Sequence, residues 1–386
     1  EGQIEGFWTG QYQSINLCNQ VIDNIPTITM DEALKSRYIA EAKFIRAYNY
    51  FRLVRAFGGV PLRLSLPKTS GDFNIPRASK EEVWLAIEKD LSDAAAALPP
   101  AYGPADIGRA TRGAALALHA KVAMYQKKWS DVLNYTNQVM GMGYSLFNNY
   151  EALFRVPNEN SSESIFEIQC KSLPNIPGAS NSQYSQVQGV RGQSGGGWGF
   201  NVPTQVLANA FETGDPRKDA TIIFRGETTP EGDFIQASGD NPMYNQKSYV
   251  PFSVPYRQNE GEDQNVRVIR YAEVLLMNAE AANELGNSPQ ALISLNKVRA
   301  RARGGNINVL PDVVTVDQAL LRKAIYHERQ VELAMEFDRF FDVIRQGRGA
   351  EVFGSKGFKA GKHELMPIPA NEIEKSAGIL TQNSRY

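Results

Sequence analysis

Two helix–turn–helix units, far apart in the chain, set the terms for its fold. Residues 114–139 read AALALHAKVAMYQKKWSDVLNYTNQV and residues 272–298 read AEVLLMNAEAANELGNSPQALISLNKV. Each is a helix rich in small residues, a short polar turn, then a second helix. Small residues let helices approach closely, and the short turn folds the pair back antiparallel. One such pair cannot bury its own apolar face, so several must stack. Residues 8–57 and 317–346 offer further helical stretches for the stack. A generic helical bundle is the alternative architecture.

Three regions differ in texture. Residues 7–141 read as helices. Asp31 can cap a helix over 31–57, in which Leu34, Tyr38, Ile45 and Tyr48 or Phe51 recur at helical spacing. Gly58-Gly59 ends it and Pro61 blocks its continuation. Ser79 with Glu82 forms a capping box for a helix that Pro99-Pro100 stops. Two more helices are expected over 111–126 and 129–141. Residues 145–264 lose helical periodicity: strand-like pieces at 164–168 and 220–224 alternate with long Gly/Ser/Asn/Gln tracts. Structureless stretches of this length inside a folded protein are usually functional. Helices return over 266–285, 288–303 and 317–346, and a Pro-broken tail follows. The helix pairs are tetratricopeptide-like. The expected fold is therefore mainly α: a tetratricopeptide-like helical-repeat superhelix from 1–144 and 265–350, an irregular, loop-rich ligand-binding part with short β-hairpins at 145–264, and an extended C-terminal tail at 351–386, all in one domain.

Composition removes whole classes of chemistry. Lys plus Arg number 41 and Asp plus Glu 42 among 386 residues, so the net charge of -1 gives no global field for gripping nucleic acid. No stretch approaches the roughly 20 apolar residues that a membrane span needs. The two cysteines, Cys18 and Cys170, and the three histidines, His119, His327 and His363, lack metal-ligand spacing. His327-Glu328 starts like a zinc-protease helix, but Val331 stands where the second ligand belongs. Gly195-Gly196-Gly197-Trp198-Gly199 runs into Phe200 and is no dinucleotide fingerprint. There is no G-x-S-x-G elbow. Glu212 and Asp215 are acids close in sequence, as a glycosidase would need, yet acids are plentiful. No catalytic residue, cofactor or metal is assigned. Whether a cation orders the acidic 258–265 loop, with Glu260, Glu262 and Asp263, is left open. Glu1 begins directly on an amphipathic pattern (Phe7, Trp8, Tyr12, Ile15), which reads as a processed or trimmed chain whose targeting segment precedes it.

The strongest binding candidate is 175–205, NIPGASNSQYSQVQGVRGQSGGGWGFNVPTQ. It holds eight Asn or Gln, seven Gly, no acid and one base. A sugar ring offers C–H faces to an aromatic ring and a hydroxyl rim to planar donors and acceptors, which Asn, Gln and Arg supply. The glycines would let backbone approach a ligand. Trp198, Tyr184 and Phe200 are the candidate stacking rings, with Arg191, Gln193 and Asn201 as polar contacts. The structural alternative is a loop whose Trp fills the core. Trp84 and Trp129 read as core. Tyr144, Phe147, Tyr150 and Phe154 read as a staple between irregular and helical parts. Trp8 and Tyr12 share a helix face and read as packing before cleft lining. Of Tyr244, Tyr249 and Tyr256, one could reach a ligand.

Four motifs in order make the chain resemble the SusD/RagB-type proteins. They are Glu41-Ala42-Lys43-Phe44-Ile45-Arg46-Ala47-Tyr48-Asn49-Tyr50-Phe51 ending in Phe57-Gly58-Gly59-Val60-Pro61-Leu62; Arg270-Tyr271-Ala272-Glu273-Val274-Leu275-Leu276; His327-Glu328-Arg329-Gln330-Val331-Glu332-Leu333-Ala334 with Arg339 to Arg345; and Pro367-Ile368-Pro369, Glu372 and Gln382-Asn383. Membership implies a lipoprotein of Bacteroidota on the outer face of the outer membrane. It implies binding of glycans, or in some members peptides, and capping of a SusC-like TonB-dependent transporter. The lipid anchor would lie in an N-terminal segment outside this sequence, and Cys18 is not its cysteine. The chain departs from the pattern at Phe337, where the family often has Gly, at Ser376-Ala377-Gly378 in place of Asn-Pro, and at Arg385 in place of Gly. The motif charges Glu41, Arg46, Glu328, Arg329, Glu332 and Arg339 read as helix-to-helix ion pairs rather than ligand contacts. The expected function is non-catalytic glycan binding at the cell surface. The alternatives are a peptide-binding relative, a tetratricopeptide adaptor for protein partners, and a hydrolase.

Overall fold

Local capping chemistry fixes where the N-terminal helices begin and end. In the computed structural model, which describes residues 2–173, 182–193, 196–254 and 263–386, α1 spans Gly2–Asn24 and α2 spans Glu32–Phe57. The Asp31 carboxylate accepts from Leu34 N at 2.8 Å, and Gly58 at φ 74 closes α2. Ser79 and Glu82 form the reciprocal capping box of α3 (Lys80–Ala97), and Thr111 caps α4 (Arg112–Tyr125). The turn that follows α4 puts Lys127 in the left-handed region at φ 58.

The chain divides into two compact units: Glu1–Lys128 with Phe340–Tyr386, and Trp129–Arg339. In the first, α1, α2 and α3 enclose a core of Ile15, Phe44, Phe51, Leu53, Val83 and Leu91, all fully buried. A charge is buried there with its partners: Arg46 donates twice to Asp90 of α3 (2.7 and 2.8 Å) and once to Asn19 of α1 (2.8 Å).

The second unit starts with α5 (Trp129–Met140). The irregular stretch then contributes β1 (Ser164–Ile168), α6 (Tyr184–Gln188), α7 (Gln205–Ala208), α8 (Arg217–Thr221), β2 (Ile222–Phe224), β3 (Met243–Asn245) and β4 (Val266–Arg270). Helices α9 (Tyr271–Glu284), α10 (Ser288–Ala302) and α11 (Gln318–Glu332) complete it. α9 is the central helix, packed by α5, α10 and α11. Its Ala272, Ala279, Ala281 and Ala282 are fully buried, so the close approach expected of small residues is realised. Asn278 of α9 donates to Thr136 of α5 at 2.9 Å. Two antiparallel strand pairs cross the irregular part: β1 with β4 and β2 with β3.

α12 (Arg339–Arg345), α13 (Gly349–Phe353) and α14 (Ala370–Lys375) follow α11. The C-terminal residues join the first unit: Asn383 donates to Phe57 O at 3.1 Å, and Arg77 donates to Asn383 at 2.7 Å.

Four sequence readings change. Of the strand-like piece at 220–224, residues 220 and 221 close α8 and only Ile222–Phe224 are strand. Residues 266–270 are strand β4 rather than the start of a helix, because Val266 to Arg270 pair with β1. The helix read over 317–346 is two, since Met335 (φ 65) and Phe337 (φ 72) turn the backbone left-handed between α11 and α12. The tail read as extended contains α14.

Arg46, Glu328 and Arg329 pair from helix to helix as expected, whereas Glu41 pairs with Arg37 of its own helix and with Arg109 of a loop. Glu328 pairs with Arg299 of α10, and Arg329 lies 3.6 Å from Glu273 of α9. Glu332, fully buried, accepts from Arg301 of α10, from Arg270 at the end of β4 and from Arg217 of α8. Burial alone would raise its pKa, but Arg301, Arg270, Arg217 and Lys247 hold it down to about 2. One carboxylate thus ties the irregular part to the helices.

Candidate functional site

The segment carrying the candidate rings is described over 182–193 and 196–254, so residues 174–181 and 194–195 of the proposed binding stretch lie outside the described residues. The rest is held by backbone bonds around α6. Gly197 N donates to Val190 O (2.7 Å), Trp198 N to Gln186 O (2.8 Å) and Phe200 N to Val187 O (2.9 Å). The glycines serve this return. A Cβ on Gly196 would sit 2.0 Å from Val190 O, and one on Gly197 2.1 Å from Gln186 O. They therefore admit backbone against backbone, rather than backbone against a ligand as the sequence suggested.

Beneath the segment lies the β2–β3 pair. Val190 packs with Ile223, Ile235, Tyr244 and Tyr249 in one apolar cluster. Asn201, left-handed at φ 48, donates to Gln188 Oε1 at 2.7 Å, and Asn245 of β3 donates to the same oxygen at 2.9 Å. Asn241 donates to Gly199 O at 3.0 Å. Gln193 donates to Phe234 O and accepts from Gln236 N at 3.1 Å, so its amide fastens the segment to the neighbouring bridge Thr228–Phe234.

The six candidate residues therefore differ in what they can offer a ligand. Phe200 is 57% exposed. Trp198 and Tyr184 are half-buried, and Arg191 is exposed with its Nε 4.0 Å from the Asp240 carboxylate, both side chains largely in solvent. Such an exposed pair is worth little and leaves the guanidinium available. Asn201 keeps its side-chain oxygen open. Gln193 is engaged by backbone. Tyr184 meets Phe337 edge-on, with ring centroids 5.8 Å apart. Three exposed phenylalanines of this unit, Phe200, Phe234 and Phe337, border the segment. Phe234 and Phe337 escape a reading of the sequence by stretches, because each reaches the site through tertiary contacts alone.

Other readings resolve as follows. Tyr244 and Tyr249 are buried, so neither reaches a ligand, and Tyr256 lies outside the described residues, as do Glu260 and Glu262 of the acidic loop. Asp263 accepts from Ser172 N at 2.8 Å. Tyr150 and Phe154 are buried and Tyr144 stacks on Tyr271 at 6.4 Å, which bears out the staple. Trp84 is buried, whereas Trp129 is half-buried rather than core. Trp8 packs on Tyr12 and Phe57 (5.0 Å each), and with Tyr12, Phe73 and Lys375 it also lines a cavity of about 230 Å³ in the first unit. Glu212 accepts from Arg299 at 2.7 and 3.1 Å, which lowers its pKa, and Asp215 pairs with Arg217 at 2.8 Å. Neither carboxyl is poised as a general acid. No helix among the described residues is long and apolar enough to cross a membrane.

Known proteins are similar to this chain in sequence and fold. Residues 162–386 match the model of the SusD family, and residues 1–124 match a model described as starch-binding associating with outer membrane. A SusD-like protein, P2, of Formosa agariphila is 30% identical over 100% of this chain and 81% of its own length. A solved laminarin-binding SusD-like protein is 32% identical and superposes with a TM-score of 0.84 over 98% of this chain and 85% of its own. Surface glycan-binding protein A of Bacteroides fluxus is 26% identical, with a TM-score of 0.78 over 99% and 85% of the two chains. Sequence, mainly helical fold and motif order agree, and the chain belongs to the SusD family.

Proposed function

We propose that this protein binds glycans without catalysis at the surface of the outer membrane and passes them to a SusC-like TonB-dependent transporter, held to the membrane by an N-terminal lipid anchor. The loop-rich stretch 145–264 is its ligand-binding part. The observation that supports the reading is the segment folded around α6, which carries Trp198, Tyr184 and Phe200 together with the amide of Asn201 and the exposed guanidinium of Arg191. Rings take the C–H faces of a pyranose and the polar groups take its hydroxyl rim. The backbone bonds hold this set before a ligand arrives, which lowers the ordering cost of binding. The 32% identity to a laminarin-binding relative makes β-glucans the first ligands to try.

Calorimetry with laminarin and a panel of other glycans tests the site. Trp198→Ala should weaken the best ligand about tenfold or more, the loss expected for a buried ring contact. Its melting temperature should change little, since Trp198 is only half-buried. Undiminished affinity would remove Trp198 from the site. Co-purification of the lipidated protein with a transporter barrel checks the partner.

A further inference from the structure

We infer that Phe337 and Tyr184 form an additional subsite that takes the apolar face of one sugar ring; the inference rests on the glycan-binding reading. Phe337 is a large apolar ring that is 54% exposed, and its backbone sits at φ 72. That region is unfavourable for a bulky L-residue and is found mainly where surrounding structure enforces it. More than half of the ring lies in solvent, and it meets Tyr184 edge-on at 62°.

The enforcement is visible in the residues that precede it. Glu336, the preceding residue, is anchored by Arg270 (2.7 and 2.8 Å) and by Lys247 (2.6 Å), both buried. Leu333 and Ala334 are buried at the end of α11. The chain is thus clamped as far as Glu336 and turns left-handed at Phe337, which leaves the ring exposed. A rigid exposed ring loses little freedom on stacking, as a recognition surface requires. Tyr184 links it to the site: the same short helix, α6, accepts the backbone N–H groups of Trp198 and Phe200. The rings of Tyr184 and Phe337 therefore extend the stacking surface from the loop to the turn after α11, and a ligand spanning both would be an oligosaccharide rather than a monosaccharide.

Phe337→Gly separates binding from folding. Glycine relieves the left-handed backbone, so the melting temperature should stay level or rise. Affinity for laminarin, or for whichever panel polysaccharide the wild type retains most strongly in gel electrophoresis, should fall roughly tenfold. Phe337→Tyr should keep the wild-type affinity. The loss should be larger for long oligosaccharides than for a disaccharide. Unchanged affinity in Phe337→Gly, with Trp198→Ala still impaired, overturns the subsite and leaves the glycan reading standing. A wild-type protein that retains no polysaccharide overturns both.

Discussion

At the scale of single residues, the family departures coincide with backbone strain. Phe337, Ala377 and Arg385, at the three places where the chain departs from the family pattern, adopt φ 72, 53 and 69. Ala377 shows the cost without a compensating gain. It is exposed, its N–H donates to Glu374 O at 2.9 Å as α14 ends, and the adjoining Gly378 is also left-handed at φ 81. An L-residue in this region costs roughly 1–2 kcal/mol, and glycine returns about half of that through its freer unfolded chain. Ala377→Gly should therefore stabilise by about 0.5–1 kcal/mol in urea denaturation, with no change in glycan affinity. Asn201 at φ 48 differs, because asparagine tolerates this region and its amide holds Gln188.

At the scale of elements, the buried acids of α11 connect the helices to the loop-rich part. Glu332 has three arginine partners, from α8, the end of β4 and α10, and none of the four side chains is more than slightly exposed. Removing its charge leaves those cations without their shared partner. Breaking a buried pair by removing one member typically costs about 3–5 kcal/mol. Glu332→Gln should show a loss of that order in urea unfolding, while Glu32→Gln, on the exposed face of α2, should show almost none. The pairing itself is legible in the sequence, since motif charges on stacked helices need partners. Helix starts are legible too, because a cap such as Asp31 or Ser79 acts within three residues. The strand identity of 266–270 is not, because it depends on β1, a hundred or so residues earlier in the chain. Nor is the break between α11 and α12, which no Gly or Pro marks. For the site, the ring residues of the loop stand out by composition. The bridging role of Gln193, the purpose of Gly196 and Gly197, and the arrival of Phe234 and Phe337 arise only when distant segments meet.

At the scale of the whole molecule, the titrating groups of the second unit give stability a shaped pH dependence. Glu332, held at about 2, binds fewer protons folded than unfolded, so stability is lost as pH falls from the ordinary glutamate range towards 2. Lys247 is lowered to about 8 by burial, against the pull of Glu336, so the unfolded chain binds more protons between 8 and the usual lysine value and stability rises with pH there. Glu159 acts in the middle range. Burial raises it from 4.5 to about 7, opposed by the Asn265 N–H and Arg267 and aided by the neighbouring Glu167 and Asp263. Between 4.5 and 7 the fold keeps a proton that the unfolded chain has released, so stability falls as pH rises through that window. A glutamine at 159 resembles the protonated acid: its carbonyl can still accept from Asn265 N, now at 2.6 Å, and it has no charge to desolvate. Thermal melts of Glu159→Gln should therefore follow the wild type near pH 4.5 and lie above it at pH 7, flattening the decline between them. If the wild-type and variant melts run parallel across that range, Glu159 does not hold its proton in the fold.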